Sequence, residues 1–143
     1  MQKNLPALAL CVAIAACSTE LNWREARFDD APLVALLPCK PDKGARELPL
    51  AGRMRQVNMM GCEAGGATFT VAFADVDDAS AVPDALAQWK AVSRATQARY
   101  FSHQTQVFEA AIFGQPNSND TPSALTQQAA ETFFSGIRVP TAP

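Results

Sequence analysis

Beyond residue 22 the chain reads as short runs of strand length, some alternating and some wholly apolar, and in two places a helical period takes over. Ala67 to Asp75 is the clearest strand, with Phe69, Val71 and Phe73 on one face and Thr68, Thr70 and Ala72 on the other. Ala64-Gly65-Gly66 before it reads as a hairpin turn, the glycines supplying positive φ. Arg53 to Glu63 is then the longest candidate strand; Val57 and Met59 share a face with Arg53 and Arg55, while Met54, Met60 and Cys62 take the other. Glu47-Leu48-Pro49-Leu50 is expected at a sheet edge, because its proline has no N–H for a ladder, and Ala51-Gly52 turns it into the next strand. Upstream, Trp23 to Phe28 and the apolar run Leu33 to Leu37 predict two short strands around the turn Asp29-Asp30-Ala31-Pro32. Pro38 stops the second, and Cys39 to Gly44 reads as a loop.

Downstream of Asp75 the period changes. Ser80 is placed as an N-cap, Pro83 in the first turn and Asp84 at the positive end of a helix dipole. Val82, Ala85, Leu86, Trp89 and Val92 then form one stripe, with Asp84, Gln88, Lys90 and Arg94 outside it. Tyr100-Phe101 fits a short strand or the helix exit. Ser102-His103-Gln104 turns into Thr105 to Phe113, a strand apolar on both faces except for Glu109. After a polar loop from Gly114 to Asp120, Thr121 and Pro122 open a second helix with Leu125, Ala129 and Phe133 inward and Gly136 as its stop. Ile137-Arg138-Val139 closes the fold as a short strand. A run of strands with few helices predicts an α+β domain, a twisted antiparallel sheet with two helices packed on one face.

The first twenty residues follow another logic. Lys3 precedes Leu5 to Ala16, an apolar run that ends in small residues and is shorter than the roughly 20 residues of a spanning helix. This is the layout of a secretory signal peptide. Its last residues, Ile14-Ala15-Ala16-Cys17, resemble the bacterial lipobox. The resemblance implies cleavage before Cys17 and acylation of its thiol and new amino group, with palmitate among the chains; several acyl chains hold a protein far more firmly than one. Ser18 in place of an aspartate points to the outer membrane. The expected division is therefore residues 1–16 as a removed signal peptide, 17–22 as a lipidated tether and 23–140 as a single domain.

Composition narrows the rest. Of 143 residues, 48% are hydrophobic and 18% charged, which suits a folded core rather than a disordered tether. Loss of Lys3 takes the formal charge from −2 to −3. Without a basic run, neither nucleic acid nor a polybasic membrane patch is expected. Cys11 falls in the removed segment and Cys17 takes lipid, leaving Cys39 and Cys62 in a compartment where disulfides persist. A metal pair would lack its other ligands, and a redox pair would lack close C-x-x-C spacing, so a structural disulfide is expected.

Three blocks resemble a set of uncharacterised proteobacterial envelope lipoproteins. These are Leu33 to Asp42, Pro49 to Gly52 with Met60 to Phe69, and Ala130 to Pro140. The resemblance implies a PsbP-like layout and no particular activity. That layout carries a longer segment, with another hairpin, between the first helix and the Thr105 strand; here only Ala95 to Gln104 is present.

Candidate chemistry is thin. His103 is the only histidine and is expected in an exposed turn, with no Gly-x-Ser-x-Gly elbow to build a triad around. Asp75, Asp77, Asp78 and Asp84 miss the calcium-loop pattern, since Ser80 and Leu86 stand where Gly and Glu are needed. Gly65-Gly66 lacks the rest of a phosphate loop, and Met54, Met59 and Met60 point to both strand faces, as core residues do. The expected function is a non-enzymatic envelope lipoprotein with no cofactor, held to the membrane through Cys17 and serving a binding or assembly role, with an envelope protein as the candidate partner; the alternative is a periplasmic enzyme on the same sheet. A deep pocket of convergent polar groups would favour the enzyme, and a closed apolar core with an exposed apolar patch the binding role.

Overall fold

The computed structural model describes residues 21–114 and 124–140. Cys17, the signal segment, the 115–120 loop, Thr121, Pro122 and the side chain of Leu125 lie outside the described residues. Strands β1 (Arg24–Arg27) and β2 (Val34–Leu37) pair antiparallel as a separate ribbon. The main sheet contains β3 (Asp42–Leu50), β4 (Arg53–Ala64), β5 (Ala67–Asp75), β6 (Gln97–His103) and β7 (Gln106–Phe113). Their order is β3-β4-β5-β7-β6, with every neighbouring pair antiparallel. Helix α1 (Val82–Val92) links β5 to β6, and α2 (Ala124–Ser135) follows β7.

Local chemistry explains the turns. Gly65 and Gly66, at φ 58° and 78°, supply the two positive values that a two-residue hairpin matching the strand twist requires. Ala51 and Gly52 make the same kind of turn between β3 and β4 at φ 52° and 83°. The Ala51 N–H donates to Gln88 Oε1 at 2.7 Å, tying that turn to α1. Pro49 lies on β3, an edge strand, as its missing N–H demands.

The antiparallel α+β class is as expected, but the helices do not share a face. Leu33, Leu37, Met60, Phe69, Phe108 and Phe133 form one core, in which α2 and the β1–β2 ribbon cover the sheet. Leu50, Val57, Ala72, Val82, Trp89 and Val107 form the other, under α1. The cause is visible in β7: Phe108, Ala110 and Ile112 enter the first core and Val107 the second, so the strand needs cover on both sides. Edge-on aromatic pairs fasten the ribbon, Trp23 against Phe69 at 6.4 Å and Phe28 against Phe73 at 4.8 Å between ring centroids.

Other boundaries also move. The segment expected as a loop before Glu47 belongs to β3, because Asp42 to Arg46 pair with Gly61 to Val57 on the long β4. Residues 97–103 form a full strand hairpinned to β7. Asp78, not Ser80, caps the 3-10 turn Ala79–Ala81 that leads into α1, its carboxylate accepting from the Ser80 N–H at 2.8 Å. Val92, at the end of the α1 stripe, is 62% exposed. Around Arg138 there is one bridge to Val34 rather than a strand. Gly136 ends α2 for a packing reason, since a Cβ there would lie 2.5 Å from Leu36 Cβ on β2.

Cys39 and Cys62 form the expected disulfide, with Cα atoms 5.9 Å apart. It joins the segment after β2 to β4 and so locks the ribbon onto the sheet. Closing 23 residues should stabilise the fold by roughly 3 kcal/mol in the chain-entropy picture. Urea unfolding of a Cys39→Ser, Cys62→Ser double variant should show a loss of about that size, and reductant should lower the wild type toward the variant without moving the variant itself.

Candidate functional site

Antiparallel connections sort the turns to two ends of the main sheet. The β3–β4 turn, the 76–81 segment and the β6–β7 turn gather at one end. Val76 N–H donates to Thr105 O at 2.9 Å and Gln106 Nε2 to Asp30 O at 3.0 Å, which ties these loops together. Here a cleft of about 500 Å³ opens, lined by Asp30, Arg53, Met54, Arg55, Asp75 and Asp77 among others.

Its organising group is Arg55, whose side chain is only 9% exposed. Arg55 Nε donates to Leu50 O at 3.0 Å, and Nη1 donates to Asp75 O at 3.2 Å and Asp77 Oδ2 at 2.9 Å. Arg53 donates to the same Asp77 oxygen. Asp77 sits at φ 64°, in a γ-turn whose Asp78 N–H reaches back to Val76 O at 2.8 Å. Its own N–H donates to Asp75 Oδ1 at 2.8 Å. Hydrogen bonding from Arg55 is the largest influence on the Asp77 carboxyl and holds it below its ordinary value; burial opposes it, and the Arg53 hydrogen bond adds to the lowering. The cleft thus presents a mixed cluster of two arginines and three aspartates, with Met54, 56% exposed, beside it.

A second polar pair lies beneath α1. Glu109 is 4% exposed on β7 and accepts from Tyr100 Oη at 2.7 Å, across the β6–β7 ladder. Burial, reinforced by the Glu109 carboxylate and partly offset by a hydrogen bond with Ser93, pushes the Tyr100 hydroxyl up to about 12. A neutral tyrosine donating to a buried carboxyl satisfies both groups within an apolar layer, so the pair works as a structural clasp.

Of the residues singled out from the sequence, the fold brings together Cys39 and Cys62. His103 is the half-buried last residue of β6. Met60 enters one core and Met59 borders the other, whereas Met54 points outward instead of packing. Asp77 is engaged by arginines and Asp78 caps the following turn. No group of three or more His, Cys, Asp or Glu among the described residues is placed to hold a metal ion. No helix among them is long and apolar enough to cross a membrane. The Arg55–Asp77 and Tyr100–Glu109 contacts escaped sequence reading because both depend on strand register. The available signals were Arg53-x-Arg55 after a turn and a lone acid within an apolar strand.

Two titrations test these contacts. Tyr100 is the only tyrosine, so tyrosinate absorbance reports it alone; the midpoint should lie near 12 and move down toward 10.0 in Glu109→Gln. Because the folded value is raised, the neutral hydroxyl contributes stability below 10.0 that is lost as pH rises toward about 12. Asp77 has the opposite sign: its folded value lies below 3.8, so its ion pairs contribute above that pH and are lost as pH falls through the folded value. Thermal melts should show Asp77→Asn less stable than wild type at neutral pH, with the gap closing in acid. No protein family, curated protein or solved structure matches the chain.

Proposed function

We propose that this chain is a lipoprotein of the bacterial cell envelope. On this reading Cys17 carries the lipid, the outer membrane holds the protein facing the periplasm, and the domain binds a partner without catalysing a reaction. The observation that carries the reading is the Cys39–Cys62 pair, a bond suited to an oxidising compartment and located downstream of a signal-like segment. Pairing within the domain also leaves Cys17 as the cysteine of the mature chain that is available for acylation. The likeness to envelope lipoproteins of PsbP-like layout belongs to the same proposal. The cleft supports binding over catalysis because Arg53 and Arg55 are both engaged by Asp77, and Arg53 and Asp77 are solvent-exposed, where a reacting group would gain little from a dry, pre-arranged field.

Metabolic labelling with palmitate tests the anchor: label should enter the wild type and be absent from Cys17→Ala, and equal labelling would refute it. The binding role is tested by placing a photo-crosslinking residue at Met54 or, as a control, at Lys90 on α1. A discrete adduct should form in cells from position 54, disappear with Arg53→Glu, and be absent from position 90. The same adducts from both positions would argue against the cleft.

A further inference from the structure

The described chain enters the fold at the disulfide end of the sheet, opposite the Arg55–Asp77 cleft. Asn22 N–H donates to Pro38 O at 2.7 Å, next to Cys39, and Trp23 rests on Phe69, the register partner of Cys62. Leu21 already packs against the first core. Strand β1 then runs away from this end, from Trp23 at Phe69 to Phe28 at Phe73, toward the far end of β5. From Cys17 to Leu21 there are four residue steps, a reach of at most about 14 Å even when fully extended. The nine residues of β5 span about 27 Å.

We infer that the disulfide end of the domain is its membrane-facing surface, set against lipid headgroups, and that the Arg55–Asp77 cleft points away from the bilayer. The inference rests on acylation of Cys17 as proposed above. With the anchor inside the interface, the tether holds Leu21, where the chain enters the disulfide end, within about 14 Å of it. The far cleft then stands roughly a strand length beyond, where a soluble or opposing-membrane partner can reach it.

The chemistry of the near end fits a neutral headgroup layer. Lys40 and Lys43 are balanced there by Asp42 and Glu63 around a cleft of about 600 Å³, and Lys43 Nζ is occupied by Arg27 O at 3.0 Å. Helix α1 begins at the far end and finishes toward this one, so its exposed Val92 falls on the membrane side. Apart from Val92, the one other large apolar side chain exposed among the described residues is Met54, at the opposite end. Nothing apolar is therefore provided to lay either broad face on the bilayer, and a mature formal charge of −3 opposes it on anionic lipid.

The test uses the acylated full-length protein in vesicles of phosphatidylethanolamine and phosphatidylglycerol that contain a headgroup-nitroxide lipid. A fluorophore is attached through Gln97→Cys, at the disulfide end of β6, or through Gln104→Cys, just past its other end. Intact mass first establishes acylation and the oxidised Cys39–Cys62 pair. Quenching should be several-fold stronger at position 97 than at 104, and the ratio should persist in high salt because tether length, not charge, sets it. Equal quenching, meaning a domain lying flat, or stronger quenching at 104 would overturn the orientation while leaving the lipid anchor intact. A mature mass without acyl groups would overturn the anchor and the orientation with it.

Discussion

Everything in this fold follows from a sheet that is apolar on both sides at its centre. Strands β5 and β7 bury Phe69, Val71, Phe73, Phe108 and Ile112 on one face and Ala72, Ala74 and Val107 on the other. Leaving the first face wet would forfeit the transfer free energy of several large side chains, each worth about 1.5–3 kcal/mol when buried, and the second adds Leu50 and Val57 from β3 and β4 to its smaller residues. One helix cannot cover two faces. The chain therefore sends α1 to one side, where Trp89 is the largest fully buried residue, and uses α2 with the β1–β2 ribbon on the other.

That division explains where the covalent and ionic links fall. The ribbon is only two strands of four residues, too little to hold itself against a sheet without help. The disulfide fixes one end of it, the Phe28–Phe73 contact the other, and the Val34–Arg138 bridge with the Arg138–Glu25 ion pair, 2.6 Å, joins it to the chain after α2. On the opposite face α1 is held by Trp89 and by the Gln88 bond to the β3–β4 turn. Antiparallel connectivity then separates the molecule into two unlike ends. One carries the disulfide and the chain entry, and the other carries the arginine–aspartate cleft. Under the proposed acylation of Cys17, that polarity would set the arginine–aspartate cleft at the end farthest from the anchor.

The sequence by itself determined the centre of the strand and turn pattern. Alternation, paired glycines and prolines are local signals, and they marked β5 and the 65–66 hairpin at the positions observed. Cysteine number and compartment logic pointed to the Cys39–Cys62 pair without any knowledge of distance. Even the two-sided apolar character of β7 is legible in the sequence, and it is this that calls for a helix on each face. What only the tertiary structure decided was everything set by register and layer. The β3 extension to Asp42 exists because β4 offers partners that far. Arg55 meets Asp77, and Tyr100 meets Glu109, because ladders bring residues 22 and 9 positions apart into hydrogen-bonding range. Local patterns record what each residue does with its neighbours in the chain, and these contacts are made between residues that the chain itself keeps apart.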